Sequence, residues 1–230
     1  MPVGRSAPST ERGIERDDVA KFATPFTVLI VGLAITLIPV QVPRFFSPFT
    51  LVGAIVVVIG TVLLARVHRP ALIAVLAAVG ALGFEMTYDA MVMWRTLAPS
   101  PRVEQLESNA RIAEHSAGSI LFAVLLWMIL TVARDVLAAS GRMGEADVVA
   151  RRRFWVAWLG AALAVAGSAL AIAGIKIVWD LGVWAWPLVL LVGAAAIATL
   201  VMVFGSLVTA RRVAVQIRTE SDARTAAATV

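Results

Sequence analysis

A chain of 230 residues that is 60% hydrophobic and only 15% charged is too apolar for a soluble domain, which carries about 25% charge and 45–50% apolar residues. The apolar residues lie in long runs, which places the chain in the membrane class and leaves no length for a second, soluble domain. The absence of cysteine excludes disulfides, thiolate metal sites and cysteine nucleophiles. The formal charge of +5 sits in arginines beside apolar runs, where it orients a membrane protein and does not argue for nucleic-acid binding.

The pattern predicts an all-α polytopic membrane protein with six transmembrane helices and both termini in the cytoplasm. Residues 1–21 are polar and mixed in charge, and read as a disordered or surface-lying tail. The first span, 22–42, is too long for a signal-peptide core and is followed by no small-x-small cleavage site. The second, 49–65, is bracketed by Pro48 and by Arg66, His68 and Arg69, which form a tight turn into the third. The third span, 71–91, is apolar to Phe84 and then mixed. Beyond it Val103, Leu106, Ala110 and Ala113 recur at helical spacing, with Ser100 suited to the N-cap and Pro101 to the first turn. This predicts a short amphipathic helix in the outer loop before the fourth span, 112–133, either lying on the outer surface or running straight into that span. A flexible turn at Ser140 to Gly144 leads into the fifth, 154–178, and a tight WDLGVWAW connection into the sixth, 183–210. The polar stretch 211–230 reads as a frayed cytoplasmic tail.

Counting Arg and Lys with the N-terminus inside gives fifteen on the inner segments and five on the outer, a positive-inside bias that favours an even number of spans. Trp94, Trp179, Trp184 and Trp186 fall at the outer boundary and Trp155 and Trp158 near the inner one, where indoles settle. Basic residues are almost all Arg, and Ala and Val abound, which points to a high-GC bacterium and its plasma membrane.

Few residues offer chemistry. Glu85 lies about 21 Å into the third span, about 9 Å below the outer edge of the hydrocarbon. A charge there costs at least ~2.5 kcal/mol unless paired, hydrated or protonated. It continues a face of Ala74, Ala78 and Ala81, which predicts that it points into the protein; Asp89 lies one turn further along. The pair Glu85 and Asp89 is the candidate proton- or cation-binding site. Glu85, Asp89 and His115 have the chemistry for a divalent metal but no recognised spacing, so no metal site and no cofactor are expected. Lys176 and Asp180 form an i, i+4 pair at the outer interface and are possible charge partners for the two acids. Gly160, Ala164, Gly167, Ala171 and Gly174 form a small-residue seam suited to close helix packing. Phosphate-loop, dinucleotide, hydrolase-elbow and paired-histidine haem patterns are missing.

Three function classes fit this inventory. The first is a non-catalytic membrane module, a subunit or assembly partner of a larger envelope complex or a homo-oligomer in the bilayer. The second is a small transporter or channel using Glu85 and Asp89. The third is a membrane-embedded enzyme with a metal at its outer face. The leaning is away from an enzyme and away from nucleic acid.

Overall fold

A computed structural model describes residues 14–38, 48–173 and 185–228, and every element among them is helical. A 3-10 turn, Arg16–Phe22, leads into α1 (Ala23–Thr36). Then follow α2 (Pro48–Val67), a 3-10 turn at Arg69–Ala71, and α3 (Leu72–Leu97). Next, α4 (Pro101–Ala113) runs through a π-helical turn, Glu114–Gly118, into α5 (Ser119–Ala139). The chain ends in α6 (Met143–Ala173) and α7 (Ala185–Ala228). Five of the described helices are long and apolar enough to cross a membrane: Asp18–Thr36, Thr50–Val67, Arg69–Leu97, Pro101–Ala139 and Leu190–Ala228. Helical backbone is what lipid demands, because it satisfies its own peptide groups.

Several boundaries differ from the sequence reading. Residues 14–22 are not a loose tail, since Val19 and Phe22 are fully buried in the core. The third helix continues to Leu97, and the amphipathic helix runs straight into the fourth span, the second of its two expected arrangements, as one 39-residue segment. At the C-terminus α7 does not stop near residue 210. It continues to Ala228, with Val213 and Ala214 buried against the bundle. A helix already nucleated inside the bundle extends at little cost, so the polar sequence that reads as a tail remains helical.

Two ends of the bundle can be distinguished. At one, the 3-10 turn before α1, the α2–α3 turn, the α5–α6 turn and the extension of α7 bring most of the arginines together. Here the core is dense: Phe22, Phe26, Leu64, Ile129, Leu137 and Leu207 are fully or almost fully buried. Guanidinium groups join the helices by bonding to hydroxyls and amides. Arg153 donates to Thr131 at 3.0 Å, Arg211 to Thr27 at 2.7 Å and Arg142 to Gln216 at 2.9 Å. Toward the opposite end α3 packs less deeply, since its buried residues, Ala74, Ala77 and Ala78, all lie in its first two turns.

Among the described glycines the tightest approaches are between α1 and α2, at positions that the sequence reading did not single out. A Cβ added at Gly53 would lie 2.5 Å from the backbone nitrogen of Thr36, and one at Gly32 would lie 2.8 Å from that of Val57. Gly160, in the seam of the fifth span, is also in contact: a Cβ there would meet that of Ala123 on α5 at 3.0 Å. Ala164 is buried. The surroundings of Gly167 and Ala171 and the position of Gly174 lie outside the described residues.

Because two of the three nearest atoms opposite Gly53, the Thr36 nitrogen and the Gly32 carbonyl oxygen, are backbone, they cannot swing aside. Gly53→Ala is expected to destabilise the protein by about 1–3 kcal/mol, the usual cost of overpacking. Gly83→Ala, with nothing within 4 Å of the added Cβ, should be neutral or slightly stabilising. Thermal unfolding of both variants in detergent checks this, and equal tolerance would contradict the close α1–α2 contact.

Candidate functional site

The alanine face of α3 ends at Glu85, and the space in front of that carboxylate is not filled by a neighbouring helix. One cavity of about 190 Å³ lies among α1, α2, α3 and α5, with Thr36, Thr50, Ala78, Ala81, Glu85 and Phe122 in its wall. A second, of about 320 Å³, lies among α3, α5, α6 and α7, and Glu85 shares its wall with Glu114, Ser119, Gly160 and Thr199. Ala81, Glu85 and Phe122 line both, so the carboxylate stands at the partition between them. Each has room for several waters, since one water needs about 10–15 Å³ of such space and two to four polar partners.

Polar groups reach these cavities from most of the bundle. Thr36 comes from α1, Thr50 from α2, Ser119 from α5 and Thr199 from α7. The hydroxyl of Thr36 donates to the carbonyl of Leu33 at 2.7 Å and that of Thr199 to Ala195 at 2.9 Å. With their protons directed back to the helix, these oxygens have only lone pairs to offer. The two cavities are therefore mainly apolar spaces fringed by oxygen acceptors, with a carboxylate between them.

The charges closest to Glu85 are also acidic, those of Asp89 and Glu114. Among the described residues Glu85 has no ion-pair or hydrogen-bond partner. Arg95, on the same side, is engaged elsewhere, 2.7 Å from a carboxylate oxygen of Glu107, which is only 11% exposed. That ion pair fixes α4 onto the end of α3. Ser100 caps α4 by accepting from the Val103 amide at 3.3 Å, with Pro101 in the first turn. The buried side of α4 is not the apolar stripe alone, since Val103 and Glu107 are buried while Leu106 is 39% exposed.

His115 pairs with its neighbour Glu114 through Nδ1. Among the described residues no three His, Asp or Glu side chains gather into a set that could hold a metal, so Glu85, Asp89 and His115 do not form one. Lys176 and Asp180, the possible charge partners, lie outside the described residues.

The π turn matters because it inserts an extra residue beside the site. Such bulges often occur at functional positions. Here it re-aims the chain so that Glu114 and Gly118 face the same cavity as Glu85. Neither Glu114 nor the scattered threonines stand out as candidates in the sequence alone. The usable signal was that Thr36, Thr50 and Thr199 interrupt otherwise apolar runs.

If the Arg95–Glu107 pair holds α4 down, Arg95→Ala should accelerate amide hydrogen exchange across residues 101–111 by less than about tenfold, because Arg95 is half exposed and such pairs contribute about 0.2–1 kcal/mol. Arg95→Lys should retain most of the protection. Unchanged exchange in Arg95→Ala would show that α4 is held by other contacts.

Comparison with known protein families, with curated proteins and with solved structures returns no match for this chain, so its site stands on its own geometry.

Proposed function

We propose that the chain is a small transporter or channel of a bacterial plasma membrane, in which Glu85 binds the moving proton or cation and Asp89 and Glu114 lie on its route. The observation that carries this reading is the position of Glu85 between two cavities, without a cationic partner among the described residues. An unpaired charge in hydrocarbon is costly, and intramembrane acids of this kind mark ion and proton pathways. A wall of carboxylate and back-bonded hydroxyl oxygens suits a hard cation or a proton, which need acceptors.

The finer topology belongs to the same proposal. The apolar half of α6, from Phe154 onward, supplies the sixth span alongside the five helices of sufficient length. The arginine-rich end faces the cytoplasm, by the positive-inside rule, and the cavities then open toward the outer half of the membrane. The alternative, a non-catalytic assembly module, expects Glu85 to be consumed in a helix contact or an ion pair. The space around it favours transport.

Glu85→Gln keeps the side chain's shape and removes the titrating charge. In liposomes loaded with a pH-sensitive dye, the protein is expected to dissipate a proton or cation gradient and Glu85→Gln to abolish that flux. Its unfolding midpoint should stay within about 1 kcal/mol of the parent, since no cation is left unpaired; breaking a buried pair would cost about 3–5 kcal/mol. Flux that survives the substitution would overturn the assignment. Loss of stability on the larger scale would make Glu85 a structural ion-pair partner instead.

A further inference from the structure

Beside the second Glu85 cavity, and sharing Ala123 with it, an apolar groove of about 270 Å³ runs between α5 and α6. Its walls are Ile120, Ala123, Val124 and Trp127 on one helix and Ala157 and Ala161 on the other. From Ile120 to Trp127 it extends for about 10 Å at 1.5 Å per residue. Small residues on α6 keep it open: Ala157 and Ala161 are one turn apart, and Gly160 beside them lets α6 approach Ala123.

The end of this groove nearest the arginine-rich end is charged. Arg153 precedes Ala157 by one turn and lies over the Trp127 ring, 4.3 Å from its centroid, while Nη1 donates to Thr131. Its Nε is buried without a hydrogen-bond partner. The nearby carboxylate of Asp135 is already bonded to Arg134 at 2.5 and 2.8 Å. Arg152 is turned to the other side, toward Ser206. Arg153 therefore carries a positive charge not cancelled by any carboxylate bonded to it among the described residues, fixed at the mouth of an apolar slot. Phe154, Trp155 and Trp158 are exposed next to it, as aromatic side chains are at the headgroup level.

We propose that this groove binds an anionic phospholipid, with one acyl chain along Ile120 to Trp127 and the phosphate on Arg153. Charge complementarity selects the occupant: a zwitterionic lipid fills the slot equally well but brings its own cation to the guanidinium. Basic pockets between membrane helices near the cytoplasmic surface hold acidic headgroups by the same physics. The groove shares Ala123 with the second Glu85 cavity but none of its acidic residues, and the proposal does not rest on transport activity.

The test uses the full chain, delipidated in detergent, titrated with phosphatidylglycerol or phosphatidylcholine brominated on an acyl chain, with quenching of tryptophan fluorescence as the readout. Phosphatidylglycerol is expected to quench at lower mole fraction than phosphatidylcholine, and Trp127→Phe to remove the preferred component. Arg153→Gln should weaken the preference roughly fivefold, the usual effect of one arginine near an acidic surface. Arg151→Gln, at an exposed neighbour, should not. Ala157→Phe fills the slot and leaves Arg153 in place, so it should abolish the component even if Arg153→Gln fails to fold. A preference that persists in Ala157→Phe, or that falls equally with Arg151→Gln, would mean a diffuse basic surface and overturn the proposal. Displacement by soluble glycerol phosphate as effective as by the lipid would show a free phosphate site and overturn it equally.

Discussion

Placing a carboxylate among apolar helices costs free energy unless a cation, water or a proton takes up its charge. At Glu85 the described side chains provide no cation, and the nearest charges are acidic and make matters worse. What the fold supplies instead is room: two cavities meeting at the carboxylate, with hydroxyl oxygens from α1, α2, α5 and α7 around them. Much of the surrounding architecture follows from keeping that room open. The alanine stripe of α3 leaves space in front of the acid, and the π turn after α4 brings Glu114 to the same wall.

The opposite end of the bundle is built to be rigid. Its core is densely buried, and Arg142, Arg153 and Arg211 bond to hydroxyls and an amide on other helices. Close approach of α1 and α2 at Gly32 and Gly53 joins this frame to the cavity region, because Thr36, which lines the first cavity, lies directly against Gly53. Stability is thus distributed unevenly, with dense packing at the arginine-rich end and cavities at the other, the arrangement expected when one part of a molecule anchors and another has to accommodate a ligand.

How much of this was legible in the sequence depended on the physics involved. Long apolar runs identify membrane helices because hydrocarbon thickness sets their length, and capping residues marked the start of α4 correctly at Ser100. The inward face of Glu85 was readable from the spacing of Ala74, Ala78 and Ala81, since helical periodicity fixes which residues share a face. The extension of α7 to Ala228 was not, because its charged sequence lacks the apolar pattern and its helicity follows from propagation and from Val213 and Ala214 packing inward. Thr36, Thr50 and Thr199 were only partly legible, because interrupting an apolar run does not say which way a threonine faces. Whether a threonine in an apolar run faces lipid, a helix or a cavity depends on how helices far apart in sequence are rotated about their axes. The π turn at Glu114–Gly118 had no local sequence signal, and without it Glu114 could not be placed beside Glu85.

Whether Glu85 is an exchangeable acid in a hydrated cavity can be measured by infrared difference spectroscopy on the reconstituted protein. The expected result is a protonated-carboxyl band that changes amplitude with pH, shifts on exchange from H₂O to D₂O, and is missing in Glu85→Gln. A carboxylate signal at Glu85 that neither titrates nor responds to D₂O would contradict this, because it would place the residue in a closed ion pair and not in an accessible binding site.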